Sequence, residues 1–303
     1  MKLSVIILSY NTAALTSQCL DSLVRLTDLR IRKDFEVIVV DNNSSDNSVT
    51  VIKNQFPKVK LVASSKNLGF SRGNNLGLQY ITPETPYILF LNSDTAVPNG
   101  TLSAMLSLMV RDNSIGVATC KVMLWNNKID MDCHRGFPTP WVALTRLTEL
   151  HKLFPHSRLF NRYFMGWEDM NSTHEIDSAV GAFMLIPRTV GEKIGWWDED
   201  YFLNGEDIDF CYRVKQLGFK VIYHPEATIT HYRGASKGTR KESKDISQAS
   251  SKTKQTVTTS GIDAMGLFYR KHLKEKYPNV VNRAIETGLK FLRWARLRKL
   301  GLW

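Results

Sequence analysis

The chain has 303 residues, of which 43% are hydrophobic and 23% are charged. This composition is typical of a globular protein with a sizeable core, and it excludes collagen-like, disordered and disulfide-scaffold classes. The apolar run at residues 3–8 is too short for the h-region of an export signal or for a membrane span, so we interpret it as a buried strand. The four cysteines lack metal-type spacing and are expected to be free thiols of a cytoplasmic protein.

The net charge of +11 is concentrated near the C-terminus. Ten Lys or Arg residues and only two acidic residues lie within residues 270–303, whereas the remainder of the chain is close to neutral. A uniformly basic protein would suggest a nucleic-acid partner. This asymmetry instead predicts a tail that meets a negatively charged surface.

In chain order, the first hundred residues alternate between apolar strand patterns and helical patterns. Strands are predicted at residues 3–8, 35–40, 59–62 and 87–91, with helical patterns after the first three. The alternation predicts an α/β fold with a mostly parallel central sheet flanked by helices. Neither a G-x-G-x-x-G fingerprint after the first strand nor a Walker A motif is present, so those nucleotide sites are not predicted.

Polar clusters follow three of these strands. They are Ser9-Tyr10-Asn11, Asp41-Asn42-Asn43 and Asn92-Ser93-Asp94. A single cluster is equally well explained as a loop with helix-capping residues. The carboxyl ends of parallel strands meet at one edge of a sheet, however, and ligands bind there. The three clusters together therefore predict a binding site.

Six segments of the chain resemble family 2 glycosyltransferases with the GT-A fold. They are residues 4–11 (SVIILSYN), 37–46 (VIVVDNNSSD), 67–75 (NLGFSRGNN), 90–94 (FLNSD), 180–188 (VGAFMLIPR) and 205–213 (GEDIDFCYR). The resemblance points to the rhamnosyltransferase-like branch of bacterial surface-polysaccharide synthesis and covers roughly residues 3–235. It implies a GT-A (nucleotide-diphospho-sugar transferase) domain at residues 1–235, with a nucleotide-binding half at 1–115 and an acceptor and catalytic half at 116–235.

The resemblance assigns the donor site to the first half of the chain. The donor-binding residues that it implies are Ser9, Tyr10, Asn11, Asp41, Asn43, Asn67, Arg72, Asn75, Asn92, Ser93 and Asp94. Asp41 would accept a hydrogen bond from a pyrimidine base, in a pocket shaped by Ser9 and Tyr10. Arg72 would lie near the diphosphate, whose oxygens suit a guanidinium. A surface arginine is the alternative interpretation, and the asparagines on either side of it are equally typical of turns and caps.

A divalent metal is also implied by the resemblance. Asn92-Ser93-Asp94 matches the Asp-x-Asp signature of the family with its first Asp replaced by Asn. Asp94 would bind Mg²⁺ or Mn²⁺ bridging the diphosphate, because such ions prefer hard oxygen ligands. His231 follows an apolar strand at a position where the family often has a histidine that reaches the metal. A structural histidine is the alternative there.

Glu206 and Asp207 are the predicted catalytic pair. Carboxylates at the start of a helix are favoured by its dipole, which is the structural alternative. The resemblance favours Asp207 as the general base that deprotonates an acceptor hydroxyl, with Glu206 beside it and in contact with the acceptor. A single base with direct attack inverts the anomeric centre. Trp196 and Trp197 are predicted to stack on acceptor sugars, with core packing as the alternative.

Three further segments lie outside the strand and helix pattern of the first hundred residues. Residues 125–175 are interpreted, by resemblance, as an acceptor-side insertion, and residues 236–261 as a flexible loop rich in Ser, Thr, Lys and Gln. Residues 262–303 are predicted to form a basic amphipathic helical tail, with an apolar face that includes Val281, Ile285, Leu289, Leu292 and Leu300. Such a tail is typical of proteins that lie on anionic membranes. The alternative is a helix packed on the domain with a solvated basic face.

The resemblance implies inverting transfer of a sugar from a nucleotide donor to a saccharide acceptor in O-antigen, capsule or cell-wall polysaccharide synthesis. We expect dTDP-L-rhamnose as the donor, with a UDP-sugar as the second choice. The acceptor is expected on polyprenyl diphosphate, at the inner face of the cell membrane.

Three other functional classes were weighed. A nucleotidyltransferase would carry a Gly-rich basic loop after the first strand, which this sequence lacks. A non-catalytic, membrane-recruited carbohydrate-binding or scaffold protein would not need to retain Asp41, Asp94 and Asp207. A nucleic-acid role is disfavoured because the tail has few aromatic residues for stacking.

Overall fold

The computed structural model describes the backbone of residues 1–232 and 251–299 and all of their side chains except those of residues 251–258 and 299. The N-terminal half alternates strands and helices as predicted. Its strands are β1 (Leu3–Ser9), β2 (Phe35–Asp41), β3 (Lys60–Ala63), β4 (Tyr87–Asn92) and β5 (Thr95–Ala96), and its helices are α1 (Ala13–Val24), α2 (Ser48–Gln55), α3 (Gly69–Leu78) and α4 (Thr101–Arg111).

The second half continues the same sheet with longer connections. It contains β6 (Ile115–Leu124), α5 (Pro140–Leu147), α6 (Leu150–Leu153), β7 (His174–Ile176), β8 (Phe183–Pro187), α7 (Arg188–Ile194), α8 (Glu206–Gln216) and β9 (Lys220–His231). Two long helices follow, α9 (Ser251–Phe268) and α10 (Asn279–Lys299).

The described strands form one nine-stranded sheet in the order β3-β2-β1-β4-β8-β6-β9-β5, with β7 paired to β9. Strands β1 to β4 pair in parallel. Strand β8 runs antiparallel to β4 and β6, whereas β6 and β9 are parallel to each other. The sheet is therefore parallel from β1 to β4, as predicted, and mixed elsewhere, including the antiparallel pairing of β5 with β9.

Strand register brings the predicted polar clusters together. In β1, Ser9 pairs with Asp41 of β2, and the preceding Leu8 pairs with Asn92 of β4. The parallel strands are buried on both faces, which explains their continuous apolar sequence. The three strands therefore deliver their polar ends to one edge of the sheet.

The C-terminal segment is part of the domain, and this corrects two predicted boundaries. Helix α9 begins at Ser251, so residues 251–261 of the predicted flexible loop are helical, while residues 236–250 lie outside the described part of the chain. The first part of the predicted tail is buried against the domain, at Ile262, Phe268, Tyr269 and Leu273. Phe268, Tyr269 and Leu273 pack in one cluster with Tyr212 of α8, so burial holds the segment in place. Across the described ranges, no helix is both long and apolar enough to cross a bilayer.

Candidate functional site

Asp41 lies at the centre of the predicted donor site. Its side chain is 1% exposed at the end of β2. One carboxylate oxygen, Oδ1, accepts a hydrogen bond from the backbone N–H of Ser44 at 2.9 Å. The other, Oδ2, has no hydrogen-bond partner among the described residues. A buried carboxylate oxygen without a donor is costly, so the site is suited to a ligand that brings an N–H.

The neighbouring residues of the first cluster have distinct structural roles. Ser9 is fully buried, and its hydroxyl is hydrogen-bonded to that of Thr16 at 2.9 Å, so it supports the strand end from within. Tyr10 is exposed beside it. Asn11 adopts a left-handed conformation, and its Oδ1 accepts a hydrogen bond from the backbone N–H of Ser45 at 2.7 Å. This bond ties the loop after β1 to the loop after β2.

Asn42 organises the next loop and was not among the predicted site residues. It is buried, and its amide donates to Asn67 Oδ1 at 3.0 Å while its Oδ1 accepts from the Leu68 N–H at 2.8 Å. Asn67 in turn accepts from the Gly69 N–H at 2.9 Å, so its side-chain oxygen is used within the loop. Asn43 is exposed and has a φ of +66°. Asn42 and Asn43 are adjacent and identical in type, so the sequence alone does not indicate which of the two side chains is buried.

Gly69 allows two loops of the site to meet. It has a φ of +77°, and a Cβ there would lie 2.5 Å from the carbonyl oxygen of Phe202. The next N–H, of Phe70, donates to that same carbonyl at 2.7 Å. Glycine is therefore required both by the left-handed backbone and by the close approach. The contact joins the loop before α3 to the loop before the catalytic pair.

Arg72 and Asn75 on α3 face the loop that contains Trp197. Asn75 donates to the Trp197 carbonyl at 2.9 Å and accepts from its N–H at 3.2 Å. This bidentate contact gives Asn75 a loop-fixing role in place of the predicted donor contact. Arg72 is exposed, and its guanidinium lies 3.3 Å from Glu199.

The two tryptophans predicted to stack on acceptor sugars belong to the core. Trp197 is 1% exposed and packs against the rings of Phe70, Phe90 and Phe210. Trp196 is half-buried, and its ring covers Gly191, where a Cβ would lie 2.1 Å away. The prediction was wrong for Trp197, because adjacent aromatic residues in a sequence do not indicate whether their faces are open.

A buried carboxylate–histidine cluster lies where the metal was predicted. Asp94 follows β4, and its Oδ1 is 3.2 Å from Nε2 of His231 at the end of β9. On the opposite side of the imidazole, Nδ1 is 3.7 Å from Asp130 Oδ2. Burial alone would lower the pKa of His231, but the two carboxylates outweigh it and raise the pKa to about 8.

This cluster provides a partial donor set for a divalent ion. A carboxylate oxygen and an imidazole nitrogen are suitable ligands for Mn²⁺, and Mg²⁺ or Mn²⁺ at a diphosphate takes its remaining ligands from phosphate oxygens and water. The second carboxylate, Asp130, stands where an outer residue orients a metal-binding histidine. Within residues 1–232 and 251–299, no three His, Cys, Asp or Glu side chains form a closed metal site. Sequence analysis missed Asp130 because it comes from an unpatterned turn.

The other two residues of the Asn92-Ser93-Asp94 cluster support Asp94. The Asn92 carbonyl accepts a hydrogen bond from Thr95 Oγ1 at 2.8 Å, which holds the turn after β4. Ser93 is buried, and its hydroxyl lies 3.3 Å from that of Thr12 at the start of α1.

The predicted base, Asp207, forms a buried ion pair that sequence analysis missed. Its Oδ2 accepts from the Arg135 guanidinium at 2.5 Å and from the Gly181 N–H at 3.1 Å. Arg135 also donates to the Ala179 carbonyl at 2.9 Å, and its other guanidinium edge, Nε, has no partner among the described residues. Burial would lower the pKa of Arg135, yet Asp207 and other acidic groups raise it well above its ordinary value. Asp207 is therefore held beside a permanent positive charge.

The two carboxylate centres are connected through the backbone. The Asn92 N–H donates to the Ala182 carbonyl at 3.1 Å, one residue after the Gly181 N–H that contacts Asp207. The strand end before Asp94 and the segment that contacts Asp207 are therefore held together by backbone hydrogen bonding between β4 and the start of β8. Glu206 is buried beside Asp207 in the first turn of α8, where the helix dipole stabilises carboxylates.

Asp209 on α8 faces away from this centre, as predicted. It is fully buried, accepts from Arg213 at 2.7 Å and lies 2.6 Å from His272 Nε2. Burial would raise the pKa of Asp209, but these two partners together hold it below its ordinary value. Gly205 precedes the predicted catalytic pair, and a Cβ added to it would lie 2.9 Å from the Cβ of Ala264 on α9. The C-terminal segment therefore packs against the helix that carries Asp207.

Comparison with known sequences places the chain among glycosyltransferases. Residues 4–165 match Glycosyl transferase family 2, and residues 87–249 match Glycosyl transferase family group 2. A hexosyltransferase of low-salt glycan biosynthesis from Haloferax volcanii is 25% identical over 63% of this chain and 57% of its own length. Rhamnosyltransferase WbbL of Escherichia coli is 24% identical over 54% of this chain and 61% of its own length. The chain thus spans about six-tenths of these two relatives.

A third relative is matched over more of its length. The N-acetylglucosaminyl-diphospho-decaprenol L-rhamnosyltransferase of Mycobacterium tuberculosis is 23% identical over 78% of both chains.

Solved structures confirm the GT-A fold. The mannosyltransferase PcManGT from Pyrobaculum calidifontis, in complex with GDP-Man and Mn²⁺, has a TM-score of 0.57 at 15% identity and covers 96% of this chain and 72% of its own. TarS from S. aureus, in complex with UDP, has a TM-score of 0.53 at 17% identity and covers 87% of this chain and 65% of its own. The sheet order, the rim of carboxylates and a family match over more than half of the residues agree, and the chain belongs to glycosyl transferase family 2.

Proposed function

We propose that this chain is an inverting, divalent-metal-dependent glycosyltransferase that moves L-rhamnose from dTDP-L-rhamnose to a saccharide acceptor on polyprenyl diphosphate. The observation that carries the proposal is the presence of two separate buried carboxylate centres, Asp94 with His231 and Asp207 with Arg135, linked by a backbone hydrogen bond between β4 and the residue before β8. A donor diphosphate and an acceptor hydroxyl need such separate centres. The product would enter surface-polysaccharide synthesis.

The choice of donor rests on Asp41 and on the relatives. Thymine and uracil both carry an imide N–H, which matches the Oδ2 that lacks a described partner. Two relatives are rhamnosyltransferases by name, which favours the dTDP-sugar. TarS is a structural neighbour solved with UDP, so a UDP-sugar is the second candidate.

In the proposed mechanism, Asp207 accepts the proton of the acceptor hydroxyl. As the hydroxyl oxygen bonds to the anomeric carbon, the bond from that carbon to the diphosphate oxygen breaks, and a single displacement inverts the centre. Arg135 contributes by pairing with the carboxylate and holding it in one orientation. Glu206 lies beside this base on the side proposed for the acceptor.

Asp94 and His231 would hold the metal, and Asp130 would fix the imidazole. When bound, a divalent ion supplies a Lewis acid that offsets negative charge on the departing nucleoside diphosphate.

The C-terminal helix supports a peripheral position on the inner face of the cell membrane, but with a different face from the predicted one. Val281, Ile285, Leu289 and Leu292 are half-buried rather than free, and Leu300 lies outside the described residues. Val280, Phe291 and Trp294 are exposed instead, with Arg283 and Lys290 also exposed along the same helix. We propose that this second face of α10 contacts anionic lipid headgroups.

A thermal-shift screen tests the donor site first. The folded protein is titrated with dTDP, UDP, GDP and ADP, with and without Mn²⁺ or Mg²⁺, and ligands that bind the folded state raise its melting temperature. We expect a metal-dependent shift with dTDP or UDP that Asp94→Ala removes. Absence of any pyrimidine diphosphate shift in folded protein would contradict the donor proposal and favour a non-catalytic carbohydrate-binding or scaffold role. Product analysis with dTDP-L-rhamnose and UDP-glucose then separates the two donor classes.

A further inference from the structure

Residues 137–167, the central part of the predicted 125–175 insertion and called the insertion from here on, expose large apolar side chains over a short stretch. They are Trp141, Leu144, Leu147, Leu153, Phe154 and Leu159. Leu147 and Leu153 are the most exposed of them, at 69% and 71%. Scattered apolar side chains are normal on a protein surface, but six within nineteen residues are not.

These side chains form a continuous surface, which we call the insertion face. Trp141, Leu144 and Leu147 are three residues apart along α5 and share one side of that helix. The Trp141 indole donates to the Leu159 carbonyl at 2.8 Å, which brings the end of the face next to its beginning. The ring of Phe160 lies between Trp141 and Phe154, with its centroid 6.2 Å from the Trp141 ring and 5.0 Å from the Phe154 ring.

The insertion has internal contacts that hold the face outward. Arg146 on the other side of α5 stacks over the Tyr163 ring at 4.2 Å. The Asn161 amide donates to the Pro155 carbonyl at 2.6 Å, and His156 Nδ1 lies 2.9 Å from the Gly166 carbonyl. The exposed apolar side chains therefore belong to an element whose conformation is already fixed by internal contacts.

The charge of the insertion is complementary to an anionic surface. Within residues 137–167 the basic residues are Arg146, Lys152, Arg158 and Arg162, and the single acidic residue is Glu149, which pairs with Lys152. All four basic side chains are exposed. Exposed aromatic and leucine side chains beside Lys and Arg are typical of elements that lie in a membrane interface.

The insertion is joined directly to the centre that contains Asp207. Arg135, which forms the ion pair with Asp207, is two residues before Phe137. Gly136 donates to the Tyr163 carbonyl at 2.7 Å, so the two ends of the insertion close on each other beside Arg135. A partner surface that binds the insertion would therefore lie next to the proposed acceptor side of the site.

We propose that the insertion face docks on an anionic lipid bilayer, separately from α10, and seats the acceptor side of the site at the membrane. Its purpose rests on the proposed lipid-linked acceptor, but docking itself requires neither donor nor acceptor. A lipid-borne hydroxyl then reaches Asp207 without leaving the bilayer surface.

Vesicle flotation of the full chain tests the proposal. Wild-type protein is compared on vesicles of phosphatidylcholine with phosphatidylglycerol and on vesicles of phosphatidylcholine alone. We expect the triple variant Leu144→Ser, Leu147→Ser, Leu153→Ser to bind the anionic vesicles at least about tenfold more weakly. The matched control replaces three exposed aliphatic residues elsewhere, Val24→Ser, Val110→Ser and Leu217→Ser, and should bind as the wild type does.

Two further variants separate this face from the others. Lys152→Glu with Arg162→Glu should weaken binding to anionic vesicles and leave binding to neutral vesicles unchanged. Phe291→Ser with Trp294→Ser on α10 should leave residual binding that the insertion triple variant then removes. Circular dichroism and melting temperature verify folding of every variant.

Three results would overturn the proposal. In the first, the insertion triple variant binds vesicles as tightly as the wild type does. In the second, the α10 variant alone loses all vesicle binding. In the third, light scattering shows that the wild type is a dimer and that the insertion triple variant is a monomer. Sugar transfer to a soluble acceptor without a lipid is measured in parallel. If that transfer persists while vesicle binding is absent, docking fails and the glycosyltransferase function stands. If it is absent while docking persists, the proposed function fails alone.

Discussion

The N-terminal half of the molecule, which we propose as the donor half, and the second half, which we propose as the acceptor half, hold Asp41 and Asp207 by different means. Asp41 sits at the end of a parallel strand, and the partner of its Oδ1 is Ser44, three residues away. Asp207 is held by Arg135, 72 residues earlier in the chain. Asp209, on the same helix, is held by His272, 63 residues later.

This difference has a physical origin in the sheet. Parallel strands in register bring their ends to one rim, so a short loop suffices to hold Asp41, whereas Asp94 on the same rim also depends on His231 of β9. The acceptor half is built on antiparallel and mixed pairing, with an insertion and two C-terminal helices around α8. Its charges are buried by distant segments and must be paired there. The donor half should therefore tolerate loss of a site residue better than the acceptor half does.

The largest effect is expected at Asp207. Asp207→Asn keeps the shape of the side chain but removes its capacity to accept a proton, so kcat should fall about 10³-fold. Binding of dTDP or UDP should remain as in the wild type, because the donor rim is separate. Steady-state kinetics and calorimetric titration of the nucleotide measure the two quantities.

A matched control and an opposing result define this test. Glu192→Gln on α7 is an exposed carboxylate-to-amide change and should leave kcat unchanged. Transfer by Asp207→Asn at the wild-type rate would remove Asp207 from the mechanism. Equal loss of nucleotide binding and kcat would mean that the two halves are not separate.

The next effect is expected on stability at Arg135. Arg135→Met leaves Asp207 buried without its ion-pair partner and should lower the free energy of unfolding by about 3 kcal/mol. The same change in an Asp207→Asn background should cost less, because no unpaired charge remains. Chemical denaturation of the four proteins of this double-mutant cycle measures the coupling. Additive losses would contradict a direct ion pair.

The contrast between local and distant contacts also explains which site residues could be predicted from the sequence. The strand ends at Asp41 and Asp94 were predictable because a local apolar run and a polar cluster are both visible in one segment. Arg135 and Asp130 were not, since each gains its role only when an unpatterned segment meets a distant strand or helix. The sequence left open for the same reason whether Trp197 stacks on a sugar or packs in the core, where the structure places it.

The C-terminal boundary was misplaced for a related reason. Residues 251–261 are polar and resemble a linker, yet they form the start of α9, whose later apolar residues pack on α8. The composition of residues 251–261 shows only that the first turns of α9 are polar. It does not show that the later apolar residues of the same helix pack on the domain.

A smaller effect on stability is expected at His272. His272→Ala removes the group 2.6 Å from buried Asp209 and leaves Arg213 as its partner, so the free energy of unfolding should fall by about 2 kcal/mol. The lowered pKa of Asp209 stabilises the native state above the carboxyl's ordinary pKa, and this contribution is lost as pH falls through the lowered value. The deficit of His272→Ala should therefore be largest near neutral pH and shrink in acid.

Denaturation curves at several pH values measure this deficit. His272→Gln, which can still donate to Asp209, should recover part of the loss. A constant deficit at all pH values would mean that His272 acts through packing on Tyr212 and Phe268 and not through Asp209.

The smallest effect is expected in the donor half, at Asp41. Asp41→Ala removes the proposed partner of the base imide, and dTDP affinity should fall about tenfold, the usual contribution of one such hydrogen bond. Stability should change little, because Ser44 loses only one local hydrogen bond. Asp21→Ala on α1 is the control for removal of a carboxylate without contact to the rim. Calorimetric titration with dTDP and with ADP decides the point, since adenine lacks the imide N–H. A loss of affinity for dTDP alone means that Asp41 recognises the base. Equal losses of affinity for dTDP and ADP would mean that Asp41 only shapes the loop. The donor half would then depend on its carboxylate for structure, as the acceptor half does.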